Sequence, residues 1–176
     1  MGRCYANGLL GKIHTMKFIL LLSVMLLTGC ASIKHDAQPH GAVITPDSQA
    51  TSQNLTSYAQ SLVGTPYKYG GNSPDSGFDC SGFVGHVFRQ SVNINLPRSS
   101  IEMFRLGQPV EAEQLQPGDL VFYNTLRRAF SHVGIYLGDD RFVHSPSSGG
   151  SVRVENMQMD YWRKHFNGAR RVSLNP

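Results

Sequence analysis

Ser131-His-Val-Gly-Ile-Tyr-Leu-Gly138, Asp139-Asp140 and Arg141-Phe-Val-His144 run consecutively, and their alternation decides the fold. Strand side chains alternate between faces, so Val133, Ile135 and Leu137 share one side and His132, Gly134 and Tyr136 the other. Two such runs joined by a Gly/Asp turn read as a hairpin. Its register places the second histidine. A three-residue loop, 138–140, sets Leu137 opposite Arg141 and His144 opposite Gly134. His144 then lies on the face of His132, diagonal to it at ~7–8 Å between backbones. A two-residue loop, 139–140, sends the two histidines to opposite faces. The three-residue loop is the expectation, and Gly134 then leaves space beside the rings.

Upstream, Phe83, Val84, Val87 and Phe88 mark one face of a helix predicted over Cys80–Gln90, with Asp79 as its N-cap. Cys80 therefore opens a helix. Unpaired N–H groups and the positive end of the macrodipole there favour thiolate, lower the thiol pKa and can stabilise an oxyanion. Asp79 works against the thiolate, so a basic partner is needed. Gly82 leaves room for substrate backbone near the sulfur. His132 supplies the base and His144 orients it, giving a chain of thiol, imidazole and imidazole. A lone strand histidine is more often an ordinary surface or core residue. Two on one face, with a cysteine at a helix start, are harder to dismiss. A zinc site from the same three residues lacks a fourth ligand and the short Cys/His spacings of structural sites.

The 176 residues are 40% apolar and 16% charged, which supports one domain with a real core and excludes wholesale disorder, collagen and coiled coil. The net charge of +4 owes most to Arg3, Lys12 and Lys17 near the N-terminus, so it is weak evidence for nucleic-acid binding and no nucleic-acid partner is expected. Phe18–Leu27 is a ten-residue apolar run behind Lys17, too short to span a bilayer as a stable helix. With Leu27-Thr-Gly-Cys30 it resembles a bacterial lipoprotein signal, which implies cleavage before Cys30 and diacylation of its thiol. Ala31 rather than Asp in the next position implies sorting to the outer membrane, periplasmic face. Met16 is a plausible start, leaving 1–15 untranslated. Residues 1–29 thus read as signal, 30–53 as a lipidated flexible tether rich in Ser, Gln, Pro, Ala and Thr, and 54–176 as the domain.

Within that domain, Leu55, Tyr58, Ala59, Leu62 and Val63 mark a first helix and Ser99–Leu106 a third, short one. Strands are predicted at Leu120–Tyr123, Ser131–Leu137, Arg141–His144 and, more weakly, Ser151–Val154. A helix follows at Tyr161–Phe166, and Ala169–Val172 returns as an edge strand. Helices first and antiparallel strands afterwards give an α+β fold, with N-terminal helices packed on a central antiparallel sheet. His86 and His165 read as structural or surface residues, and Tyr161, Trp162 and Phe166 as a packing stripe.

Gly64-Thr-Pro-Tyr-Lys-Tyr-Gly-Gly71, Asp79-Cys-Ser-Gly-Phe-Val84, Leu96-Pro-Arg-Ser99, Pro117-Gly-Asp-Leu-Val121 and Ser131–Gly138, completed by Phe142-Val-His144, resemble the NlpC family of papain-like cell-wall cysteine peptidases. The resemblance implies a compact, circularly permuted papain-like fold and hydrolysis of amide bonds in peptidoglycan stem peptides through an acyl-enzyme. It makes Cys80 the nucleophile, His132 the general base and acid, and His144 the third polar residue. Tyr67 becomes an oxyanion donor beside the Cys80 N–H. Asp79, Ser81, Arg98, Ser99 and Ser131 become cleft residues that bind substrate. Nothing in the sequence indicates a metal or organic cofactor, and a monomer is expected. Two other classes stay open: a papain-like amidase or acyltransferase on a non-murein substrate, and a non-catalytic wall-binding lipoprotein. The bond cut within murein is not read from the sequence.

Overall fold

The computed structural model describes residues 46–148 and 150–174; the predicted signal, Cys30 and the tether as far as residue 45 lie outside the described residues. Helix α1 spans Pro46–Ser61, and a two-stranded ribbon, β1 (Asn72–Ser73) and β2 (Gly77–Phe78), leads into α2 (Cys80–Val92). A short α3 (Ser100–Met103) and β3 (Gln108–Val110) follow. Then come β4 (Leu120–Tyr123), β5 (His132–Gly138), β6 (Arg141–His144), β7 (Arg153–Asn156), α4 (Asp160–His165) and β8 (Phe166–Arg171). Six strands form one sheet in the order β3-β8-β4-β5-β6-β7, antiparallel at every pairing. Helices and antiparallel sheet together are the α+β architecture expected from the sequence.

The first helix begins at Pro46, well before the apolar stripe that announced it. Once the turn at Leu55 and Ala59 is buried, each further residue adds one hydrogen bond for one residue fixed, so polar residues continue the helix outward. Ser52 also bonds the carbonyl of Pro117, pinning that extension to the domain. Helix α2 is capped as predicted: Asp79 is extended and accepts from the Gly82 N–H, while Asn93 closes the C-terminus in the left-handed region at φ 56. Its buried face of Phe83, Val84, Val87 and Phe88 packs with Val133, Ile135 and Val143 from the sheet and Leu55 and Ala59 from α1. Burying side chains of this size contributes roughly 1.5–3 kcal/mol each. His86 is buried there and bonds Tyr58 at 3.0 Å, joining α2 to α1. A second cluster, Val121, Tyr123, Tyr136, Phe142, Trp162 and Ala169, lies on the other face of the sheet beneath α4. With both faces covered, β4 is buried along its whole length.

Two expectations change. The C-terminal strand is not at the edge, because Gln108–Val110, which carries little strand signature, pairs outside it and takes that place. The β5–β6 hairpin combines both registers considered. Asp139 and Asp140 form a two-residue turn with φ 52 and 57, and Gly138 pairs Arg141. A register shift between Tyr136 and Gly138 then absorbs one residue, so Tyr136↔Phe142 and Ile135↔Val143 follow the three-residue numbering. That bulge returns His144 to the face of His132.

Candidate active site

Cys80 is the first residue of α2, half-buried and free. The polar groups around it form one closed network. The Asp79 carboxylate accepts from Gly82 N–H at 2.7 Å, Gly70 N–H at 3.0 Å and both terminal nitrogens of Arg98 at 2.8 and 2.7 Å. Arg98 also donates to Ser81 Oγ at 2.8 Å and to the Gly71 carbonyl at 3.2 Å. Ser81 completes the ring by donating to Asp79 at 3.2 Å. Burial pushes the Asp79 pKa up, but the Arg98 bonds and the Gly82 N–H outweigh it and hold the carboxyl below its ordinary value. Gly82 serves this packing rather than the substrate: a Cβ there would lie 2.0 Å from the Gly71 carbonyl oxygen.

The thiol itself does not follow the expectation of a depressed pKa. Burial, then the Asp79 charge, push it above the ordinary cysteine value, against the N–H groups of Val133 and Ser81 and the charge of Arg98. The carboxylate that caps the helix sits where the helix's positive end would otherwise stabilise a thiolate. The Val133 N–H that bears on the sulfur belongs to β5, in the residue after His132.

His132 and His144 meet as the hairpin register requires. His132 Nε2 and His144 Nδ1 are 2.7 Å apart, with the rings perpendicular at 4.9 Å between centroids. Both are buried, at 3% and 0% exposure. Burial, then the charge of Arg153, lowers the His132 pKa to about 4; burial, then His132 and Arg153, lowers that of His144 further. Both rings are neutral at neutral pH. Trp162 stacks on His132 at 6.1 Å and meets His144 edge-on at 5.0 Å, so the residue read as packing walls the histidine pair. Gly134 is required here: a Cβ would lie 2.8 Å from the Phe142 ring and 3.2 Å from His144 Cβ.

Tyr67 is half-buried, held by its N–H to the Gly150 carbonyl at 2.8 Å. Burial, then the charges of Cys80 and Asp79, raise its pKa, so its phenol keeps its proton within electrostatic reach of the sulfur. Ser99 and Ser131 have structural partners. Ser99 caps α3: its hydroxyl accepts from the Glu102 N–H at 3.4 Å and donates to the Glu102 carboxylate at 2.5 Å. Ser131 accepts from Thr125 and Leu126 N–H at 3.1 and 3.2 Å, pinning the 124–131 loop. Among the described residues no group of three His, Cys, Asp or Glu side chains is arranged to hold a metal ion.

Sequence reasoning missed one feature. A cavity of about 630 Å³ adjoins His132, walled by Leu126, Met159, Trp162 and the pair Arg153–Glu155. The signal was the β6–β7 register, which sets Arg153 opposite His144; the Ser, Pro and Gly residues of 145–152 announce a loop between those strands but not that register.

Comparison with known proteins gives a consistent set. The model of the NlpC/P60 family matches residues 64–171. Murein DD-endopeptidase MepH of Escherichia coli (strain K12) is 43% identical over 113 residues, covering 62% of this chain and 42% of that protein. Probable endopeptidase NlpC of the same strain is 38% identical over 159 residues, covering 89% of this chain and 100% of that protein. The crystal structure of an NlpC/P60 family protein from Bacillus cereus ATCC 10987 superposes with a TM-score of 0.64 at 34% identity, over 68% of this chain and 39% of the other. The chain thus spans less than half the length of MepH and of the Bacillus cereus protein.

Proposed function

This chain belongs to the NlpC/P60 family, and we propose that it is a cysteine endopeptidase that hydrolyses amide bonds in the peptide stems of peptidoglycan. The observation that carries the reading is the 2.7 Å contact between two buried neutral imidazoles, with the Cys80 sulfur on the N–H of the residue after His132. The names of the relatives, murein DD-endopeptidase and probable endopeptidase, support the substrate class.

In this mechanism the resting pair is thiol and neutral imidazole. The tautomer needed has His132 Nε2–H donating to His144 Nδ1, which leaves His132 Nδ1 as the base. As Cys80 Sγ attacks the carbonyl carbon, its proton passes to His132 Nδ1. The oxyanion accepts from the Cys80 N–H and the Tyr67 hydroxyl. Collapse breaks the C–N bond, and His132 returns the proton to the leaving nitrogen. Water then attacks the thioester with His132 again as base, releasing the acid and the thiol. His144 is a positioning residue that fixes the tautomer and ring plane.

Mass spectrometry of muropeptides incubated with the protein tests the reading. New stem fragments are expected, and Cys80→Ser should lose at least about 10³-fold in turnover while folding normally. Full residual activity in Cys80→Ser defeats the nucleophile. Unchanged muropeptides with an acyl-transfer product move the chain to acyl transfer. We also propose, from Leu27-Thr-Gly-Cys30, that Cys30 carries the lipid that holds the enzyme on the periplasmic face of the outer membrane. Fatty-acid labelling should disappear in Cys30→Ala and segregate with outer-membrane fractions in the wild type.

A further inference from the structure

Acyl transfer to a thiol gives the leaving half of the substrate a fixed address. When the C–N bond breaks, the nitrogen must receive a proton from His132, so it comes within hydrogen-bond reach of that ring. The residue it belongs to must then occupy space that His132 borders. The cavity of about 630 Å³ has His132 in its wall, and its volume is that of a small-ligand pocket rather than a packing defect.

Its lining is two-sided. Leu126 and Met159 are more than half exposed, and with Trp162 they give it an apolar side. Arg153 and Glu155 stand two residues apart on β7 and give it a charged side, with Arg153 Nε donating to Glu155 Oε1 at 2.6 Å. That bond uses the inner nitrogen of the guanidinium, which leaves the terminal fork to take a second carboxylate. Arg153 lies opposite His144 in the β6–β7 register, so guanidinium and imidazoles rise from one sheet face across β5, β6 and β7. Its charge bears on both imidazoles and disfavours the protonated His132 that the reaction passes through. The Glu155 carboxylate offsets part of that charge, and what remains hinders the chemistry beside it. A docked carboxylate screens the charge when substrate arrives.

We infer that this cavity is the subsite for the leaving half of the substrate, and that Arg153 there selects a leaving residue carrying a free carboxylate, whose aliphatic part packs on Leu126, Met159 and Trp162. The inference rests on the endopeptidase reading and adds the identity of the group recognised.

The test uses two muropeptides that differ only in the leaving residue, one with its carboxylate free and one with it converted to carboxamide. The readout is the ratio of their kcat/KM values, with the cleaved bond identified by mass spectrometry. The wild type should favour the carboxylate about tenfold or more. Arg153→Gln should bring the ratio to about one, and Arg153→Lys, which keeps the charge without the fork, should retain part of it. Indifference in the wild type, or a preference that survives in Arg153→Gln, overturns the inference. If Arg153→Gln does not fold, the wild-type and Arg153→Lys ratios decide: an undiminished preference in Arg153→Lys would show that fork geometry plays no part and overturn it. A wild type that cleaves other stem bonds but neither test substrate overturns the subsite alone, whereas one that cleaves no muropeptide overturns the endopeptidase reading and the subsite with it.

Discussion

Two Asp–Arg pairs in this molecule share their contact lengths and sit in different places. Arg98 grips both oxygens of Asp79 at 2.8 and 2.7 Å, and Arg171 grips both oxygens of Asp119 at 2.8 and 2.7 Å. Asp119 is 3% exposed and Arg171 29%, against 14% for Asp79 and 47% for Arg98. The deeper pair joins the residue before β4 to the end of β8, and the Asp119 carboxylate also takes the Gln116 N–H at 2.8 Å. It holds the sheet together. The shallower pair ties the segment before α3 to the N-terminus of α2, with Cys80 between Asp79 and Ser81. Identical contact lengths therefore say little about what a pair does; depth and neighbours decide whether it acts as a brace or sets the field at a site.

The largest effect expected is on the deep pair. Asp119→Ala leaves a guanidinium largely buried with no carboxylate and removes the acceptor for the Gln116 N–H. Breaking a buried pair in this way costs about 3–5 kcal/mol, seen as a lower urea midpoint at unchanged slope. The kcat of the protein that remains folded should match the wild type. A loss under 1 kcal/mol would erase the distinction between the pairs.

Next comes a pair that carries no charge. His132 falls from 6.5 to about 4 on folding, and burial is the first cause. The unfolded chain then binds more protons than the folded one between those values, so stability falls as pH drops from about 6.5 towards 4. The shift corresponds to about 3 kcal/mol, and His144, lowered in the same direction, adds to it. Urea denaturation at pH 7 and pH 4.5 measures the difference, and His132→Gln should reduce the slope. A wild type equally stable at both pH values would mean that the imidazoles are not kept neutral.

The sequence made the brace and the site legible to different degrees. Alternation in Ser131–Gly138 and the 3.6 period in Cys80–Gln90 exposed the central strands and helix because large apolar residues fill one face of each, Val133 and Ile135 on β5 and Phe83, Val84, Val87 and Phe88 on α2. The His132–His144 contact followed from register, although the bulge that produces it could not be seen, since Leu137 looks like any other strand residue. Gln108–Val110 escaped because a three-residue strand containing Pro109 has no alternation to read. The closed ring of Asp79, Ser81 and Arg98 was legible only as three polar residues, because which of them contact one another depends on the loop before α3. Arg153 was invisible for the same reason: its place opposite His144 is set by the loop before β7, whose Ser, Pro and Gly residues mark a turn without fixing the register. The raised Cys80 pKa was missed because burial, its first cause, cannot be read from a position at a helix start; the opposing charge of Asp79, its second, was legible.

The smallest stability effect is expected at the shallow pair, and it separates the two most sharply. Arg98 is nearly half exposed, so its ion pair with Asp79 is screened, and Arg98→Ala should cost about 1 kcal/mol at pH 7. The cap survives, because Gly82 N–H still donates to Asp79. What changes is the field: Asp79 loses the partner that outweighs its burial, and the Cys80 thiol loses a cation that lowers its pKa. The sign for Asp79 follows from its depressed folded value. Its contribution is present above the unfolded pKa of 3.8 and is lost as pH falls through the folded one. The stability gap between wild type and Arg98→Ala should therefore narrow below about pH 3.8, and the histidines, which titrate alike in both proteins, cancel from it. Activity should fall more than stability, because a thiol pushed further up gives its proton less readily to His132. Parallel urea and kcat/KM series across pH check both points. A loss of 3 kcal/mol or more with unchanged kcat/KM would make Asp79–Arg98 a second brace and remove it from the site.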